Sequence, residues 1–169
     1  ANDNVTAPSR MLKWWGDFDL HFALHSNASG STGNARGTVT YTYDNTSTPH
    51  PTALLNDSVA FAQLVQDECM RVNNVHAAAN GDTWNDRGLN TANFGELRVN
   101  DKTPACLLET AFHDNAQDAV YLRDPEWRHD TARAIYKAIA RYFNSSATII
   151  PLPPTHLRMQ NSGLSLIHI

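Results

Sequence analysis

Cysteine is scarce in this chain: the 169 residues hold two, Cys69 and Cys106. They form no C-x-x-C pair, which removes the spacing of a redox dithiol or a zinc knuckle. Both lie in apolar segments, where a thiol is expected to be buried. Positive charge is thin as well. Thirteen Lys and Arg face seventeen Asp and Glu, for a net charge of −4, and no block of five basic residues occurs. A nucleic-acid partner needs a concentrated basic footprint, so that class is excluded. No apolar run approaches the roughly 20 residues that span a bilayer. The glycine-rich stretch GSTGNARG, residues 30–37, lacks the Gly-Lys-Ser/Thr of a phosphate loop, and no H-E-x-x-H pair occurs anywhere. The triplets NVT, NTS, NDS and NSS fit a glycosylation sequon but read as ordinary loop composition. What remains, at 41% hydrophobic residues, is enough apolar material for one domain with a sizeable core.

The ends are expected to be abnormal. The chain opens ANDNVTAPSR, without Met or the charged and apolar regions of a leader, so a targeting peptide is expected to lie upstream. At the other end LSLIHI, residues 164–169, reads as an adaptor-derived tail. Residues 147–163 carry three prolines within four residues, which suits a stiff linker.

Between these ends the pattern alternates strands with helices. DLHFALH, residues 19–25, places Leu20, Phe22 and Leu24 on one face and His21, Ala23 and His25 on the other, as a strand covered on both sides. TVTYTY, residues 38–43, is a strand by its β-branched and aromatic content, with Val39, Tyr41 and Tyr43 opposite three threonines. From Asn56 to Val72 the residues Val59, Ala62, Val65, Cys69 and Val72 recur at helical spacing, with Asn56 or Asp57 as the cap. Residues 73–104 show no regular pattern, broken by Gly81, Gly88 and Gly95. PACLLE reads as a buried strand ending at Glu109. Asn115 with Asp118 opens a short helix. Asp124-Pro125 opens a long one, with Trp127, Thr131, Ala134, Ile135, Ala138, Ile139 and Tyr142 inward and Arg128, Arg133, Lys137 and Arg141 outward. The expected fold is α/β: a mainly parallel sheet flanked by helices on both faces, a three-layer αβα arrangement, incomplete at the N-terminus.

Chemistry in such sheets collects at the carboxyl ends of parallel strands, which brings His25 and Glu109 to one rim. One reading of that pair is a hydrogen-bonded histidine and a solvated glutamate. The other is a metal hydrolase, with His25 as a neutral imidazole ligand and Glu109 as the base that takes a proton from water. His21 shares the face of His25 but lies about 13 Å along the strand, too far to share an ion, and is expected to be packed beneath the site. The histidines at 50, 76, 129, 156 and 168 fall in loops, on a helix surface or in the tails.

DLHFALHSNA, taken with PACLLETAFHDNAQDAVYLRDPEWRHDTARAIYKAIARYF, resembles the zinc-dependent N-acetylmuramoyl-L-alanine amidases of bacterial cell-wall turnover. In that family a strand D-L-x-x-S-x-H-x-N-A carries a zinc histidine, and a later strand P-A-x-L-x-E-x-x-F-x-x-N carries a glutamate that acts on the attacking water. The matching positions are Asp19, Leu20, His25, Asn27 and Ala28, then Pro104, Ala105, Leu107, Glu109, Phe112 and Asn115. RGTVTYTY occupies the place of the intervening strand, so the likeness runs over residues 8 to 143.

The resemblance implies a zinc cofactor held in part by His25, Glu109 as the catalytic residue, and peptidoglycan as substrate. It further implies a location outside the cell or in the periplasm, and a monomer with no nucleic-acid partner. The family's other ligands, a histidine in a G-H-G stretch and a further glutamate, have no counterpart here and are expected upstream of Ala1. The chain alone is therefore expected to bind zinc poorly and to be inactive. His113 stands where the family often carries an aliphatic residue; at the rim it could touch substrate, and the expected role is structural. PPTHLRMQNSG resembles the first strand of a fibronectin type III module. The domains expected are 1–146 for the catalytic part, 147–163 for linker and possible module start, and 164–169 for the tail. Two other functions fit the same scaffold: an exported, inactive wall-binding module, and a zinc peptidase acting on stem-peptide bonds.

Overall fold

The computed structural model describes residues 3–16, 18–30 and 33–148, and the backbone of 157–159 and 166–168. A four-stranded sheet carries β1 (His21–Asn27), β2 (Thr38–Tyr43), β3 (Asp86–Ala92) and β4 (Ala105–Phe112) in the spatial order β1-β4-β2-β3. β1 runs parallel to β4, β2 runs parallel to β3, and β2 meets β4 antiparallel. Two of the three pairings are thus parallel, and the sheet is mixed. Helices lie on both faces, giving the expected three layers: α2 (Thr52–Ala79) and α5 (Pro125–Phe143) on one side, α3 (Gly95–Arg98) with α1 (Asp3–Trp15) on the other. α4 (Ala116–Arg123) links β4 to α5.

The alternation of β4 decides what each layer receives. All eight of its residues are buried. Cys106 and Leu108 face the main core with Phe61, Ala62, Val65 and Cys69 of α2 and Ala134, Ile135 and Ala138 of α5. Ala105 and Leu107 face the other way, against Ala23, Tyr43 and Leu97. Each large side chain fully buried in these clusters contributes about 1.5–3 kcal/mol. Both cysteines are free and buried, and burial pushes the Cys69 thiol up to about 12 and Cys106 upward too.

Several sequence expectations hold in detail. Asn115 caps α4, its side chain accepting from the Gln117 and Asp118 amides at 3.0 and 3.2 Å. Asp124 caps α5, which starts at Pro125 and buries Trp127, Thr131, Ala134, Ile135 and Ala138. Of the four cations expected to face water, Arg141 also pairs with the buried Glu68 of α2.

Others are corrected. α2 begins at Thr52 after Pro51, whose φ of −57° already suits a helix start, so Asn56 and Asp57 lie inside the helix and cap nothing. Its buried face includes Leu54 and Phe61, while Val59 is 45% exposed. β1 is covered on both sides only over its first residues, since Leu24, His25 and Ser26 are exposed. The threonines of β2 lie opposite Val39, Tyr41 and Tyr43 as expected, and Thr38, Thr40 and Thr42 are buried beneath α2. There Thr40 Oγ1 donates to Gln66, while Thr38 Oγ1 donates to the Thr110 carbonyl and accepts from Asn73 and Trp84. β4 continues three residues beyond Glu109, to Phe112. β3 and α1 were not legible in the sequence at all. The expected linker and tail fall largely outside the described residues. Within them Leu157–Met159 (β5) and Leu166–His168 (β6) pair antiparallel with each other.

Candidate active site

Glu109 and His25 stand directly beside each other in the parallel register of β1 and β4. Side chains opposite one another in register project from the same face, so the imidazole and the carboxylate emerge together. They do so within the strands, on the face covered by α3, and not at the strand termini as expected. Val39 of β2 occupies the register position on the other side of Glu109 and is 2% exposed. An apolar wall thus flanks the carboxylate where a donor would otherwise offset its burial.

The electrostatic consequence is direct. Glu109 is 9% exposed, and its Oε2 atom is buried with no hydrogen-bond partner among the described residues. Burial pushes its carboxyl above the ordinary glutamate range. The nearby His25 and His113 oppose that shift, and Glu96 adds to it by like-charge repulsion. A carboxyl desolvated in this way holds a proton more readily than an exposed glutamate does.

A cavity of about 300 Å³ opens on this face, lined by His25, Glu96, Arg98, Leu107 and Glu109, with Thr6 of α1 among the residues at its wall. Glu96 on α3 was missed in the sequence. Its carboxylate comes 3.6 Å from His25 Nε2, and its side chain is only 12% exposed, against 41% for His25. No spacing rule connects a four-residue helix to a strand so distant in the chain, so only the folded arrangement reveals it.

The other motif residues serve the scaffold. The Pro104 carbonyl accepts from the His21 amide at 2.9 Å and sets the start of the β1–β4 pairing. Asn115 caps α4 and also donates to the Gly33 carbonyl at 2.8 Å, tying down the glycine-rich loop. The Cβ missing from Gly33 would lie 2.8 Å from the Asp114 carbonyl oxygen, and its φ is +58°, so a side chain there is excluded twice. Phe112 is buried, with the Arg87 guanidinium 5.3 Å above its ring. His21 is buried as expected; burial lowers its pKa, with Glu96 opposing, and its Nδ1 has no partner among the described residues. His113 sits exposed at the rim, its Nδ1 3.1 Å from Ser26 Oγ and its amide bonded to the Asn27 carbonyl.

The donor chemistry of the pair fits zinc, which takes neutral imidazole nitrogens and carboxylate oxygens. Among the described residues no three His, Cys, Asp or Glu side chains are grouped to hold an ion.

The class defined by this arrangement is a three-layer α/β domain with an imidazole and an unpartnered carboxylate in register over a cavity. The family model described as N-acetylmuramoyl-L-alanine amidase matches residues 14–141, and the chain belongs to that family. An uncharacterized cell wall amidase of Bacillus anthracis is 34% identical over 125 residues, covering 74% of this chain and 21% of that protein. N-acetylmuramoyl-L-alanine amidase CwlM of Bacillus licheniformis is 31% identical over 143 residues, covering 85% of this chain and 47% of that one. The catalytic domain of CwlV, an N-acetylmuramoyl-L-alanine amidase from Bacillus (Paenibacillus) polymyxa, superposes with a TM-score of 0.57 at 28% identity. That match covers 82% of this chain and 63% of the CwlV domain. The chain thus spans less than half of either curated relative.

Proposed function

We propose that this chain carries part of the active site of a zinc-dependent peptidoglycan hydrolase that cleaves the amide between N-acetylmuramic acid and L-alanine of the stem peptide. The observation that carries the reading is the register pairing of His25 with Glu109, both of which line the same cavity, with Glu109 Oε2 buried and unpartnered among the described residues. Family membership and the relatives' names support the bond and the substrate.

Zinc, when bound, polarises the scissile carbonyl and acidifies water. In this reading His25 contributes one nitrogen donor, and polypeptide outside residues 1–169 contributes the rest. Glu109 accepts the proton of the attacking water on its carboxylate and delivers it to the departing amine nitrogen, so the proton taken is the proton returned. Its desolvation raises its proton affinity toward working pH, which suits a group that must both take and give. The protein works as a monomer in the cell envelope, outside the cell or in the periplasm. The region after residue 146 acts as linker and the start of a fibronectin type III module, with 164–169 as an adaptor-derived tail.

The absence of a three-donor group among the described residues favours one second reading, an exported wall-binding module without activity. The same experiment separates them. In the full-length protein, Glu109→Gln is expected to keep zinc and lose peptidoglycan cleavage, with muropeptide mass analysis locating the bond. Cleavage within the stem peptide would replace the amidase with a peptidase. No cleavage by the unaltered full-length protein would favour the binding module.

A further inference from the structure

Glu96 has no part in the mechanism above, yet its placement is tightly fixed. Ser9 Oγ of α1 donates to the Glu96 carbonyl at 2.6 Å, and the Leu97 and Arg98 amides both bond to the Phe94 carbonyl. Leu97, next in sequence, is 1% exposed in the sheet-facing core. Gly95 is packed so closely that an added Cβ would stand 2.9 Å from Thr6 Cγ2 and 3.1 Å from Val5 Cγ1. Backbone and neighbours together hold one buried carboxylate facing a histidine.

Burying a carboxylate costs free energy unless a cation or hydrogen bonds offset it. Among the described residues His25 is the basic side chain within ion-pair distance of Glu96. The Arg98 guanidinium, on the same helix, instead donates to the Asn93 carbonyl at 2.9 Å. On the other side of the cavity Glu109 offers a second buried carboxylate with an unpartnered oxygen. His25 has two ring nitrogens, so one can face a metal donor set while the other faces a carboxylate. Histidines that bind metal characteristically donate their other ring N–H to a carboxylate or carbonyl, which fixes tautomer and ring orientation.

We propose that Glu96 is a positioning residue for His25: its carboxylate, 3.6 Å from Nε2, favours the proton on that nitrogen and leaves Nδ1 as the one that would face the metal. The assignment rests on the reading of His25 as a metal donor. Glu96 touches neither water nor scissile bond in this arrangement and acts only through the ring.

The test uses the full-length protein in three forms: unaltered, Glu96→Gln and Glu96→Ala. Long-range ¹H–¹⁵N spectra of histidine-labelled, metal-free protein at pH 8 report the His25 tautomer. Chelator competition reports zinc affinity. The unaltered protein is expected to show the Nε2–H tautomer. E96A is expected to mix tautomers and weaken zinc about 10–100-fold. E96Q, which keeps an acceptor oxygen in place, is expected to restore the tautomer and much of the affinity. An Nδ1–H tautomer in the unaltered protein overturns the proposal, even if E96A fails to fold. Unchanged tautomer and affinity in folded E96A overturn it as well. A protein that binds no zinc but shows the Nε2–H tautomer, lost in E96A, sinks the hydrolase reading and leaves the positioning role standing.

Discussion

Two buried carboxylates nine positions apart, Glu109 and Asp118, have opposite circumstances. Asp118 is fully buried and saturated: it accepts from the Gly37 amide at 2.7 Å, the Phe112 amide at 3.0 Å and Arg36 Nε at 3.1 Å. Glu109 is nearly as buried, has Val39 and His25 as its sheet neighbours, and leaves one oxygen bare. The first arrangement locks the loop before β2 and the end of β4 onto the start of α4. The second locks nothing and leaves a reactive group facing a cavity. Burial alone therefore does not distinguish the two acids; the count of hydrogen-bond donors does.

The sharpest way to break that contrast is to remove each acid in turn. Asp118→Ala strips the partners from two backbone amides and from a guanidinium that is itself largely buried. It is expected to destabilise the protein by about 3–5 kcal/mol, as breaking a buried ion pair does. Denaturant midpoints check this. A loss below about 1 kcal/mol would mean that water replaces the carboxylate without penalty. Glu109→Gln is expected to do the reverse. Turnover in the full-length protein falls at least ~100-fold, the low end for losing a general base, while zinc stays bound.

The stability effect of E109Q carries a definite sign. Because the folded pKa of Glu109 is raised, the folded state holds its proton more tightly than the unfolded chain does. Stability is then lost as pH rises from the ordinary glutamate value toward the raised one. Glutamine has no proton to lose, so E109Q should match the unaltered protein in acid and exceed it at neutral pH. Equal midpoints at both pH values would show that Glu109 is not desolvated in solution.

Legibility in the sequence follows the same division between local and long-range causes. Asn115 and Asp124 were readable as caps because a cap is decided within four residues. That His25 and Glu109 converge was readable from two apolar runs taken as parallel strands, but their direct register pairing inside the strands was not. β3 was not, because it is an edge strand with mostly exposed residues, and Gly88 at a φ of +67° interrupts it. α1 was hidden by Pro8 within it, which breaks the propensity signal. Glu96 gains its meaning from a partner far away in the chain and no local pattern marks it, while the pattern that marks Asp118 as part of a helix start says nothing of its bonds to Gly37 and Arg36.

Asn115 gives a smaller test on the structural side of the comparison. Its side chain caps α4 and holds Gly33, so Asn115→Ala is expected to cost about 1–2 kcal/mol, a cap loss with one further hydrogen bond. Activity at temperatures where the variant is folded should stay near normal, because none of these bonds reaches the cavity. A large loss of turnover at unchanged stability would move Asn115, a motif residue, from scaffold to chemistry.

The smallest effect comes from the outer end of the Asp118 assembly. Arg36 also grips Asp82 through two hydrogen bonds, at 2.7 and 3.1 Å, and that guanidinium holds the Asp82 carboxyl down at about 2. With a folded pKa below the unfolded one, this pair adds stability above pH 4 and loses it as pH falls from about 4 toward 2. Asp82 is partly open to solvent, so screening keeps the contribution near that of a surface pair, ~0.2–1 kcal/mol. Asp82→Asn should therefore lower the neutral-pH midpoint slightly and flatten the acid limb of the stability curve between pH 4 and 2. If the limb keeps its slope in D82N, acid sensitivity resides in other carboxylates, and Arg36 holds its place through Asp118 and Gln117.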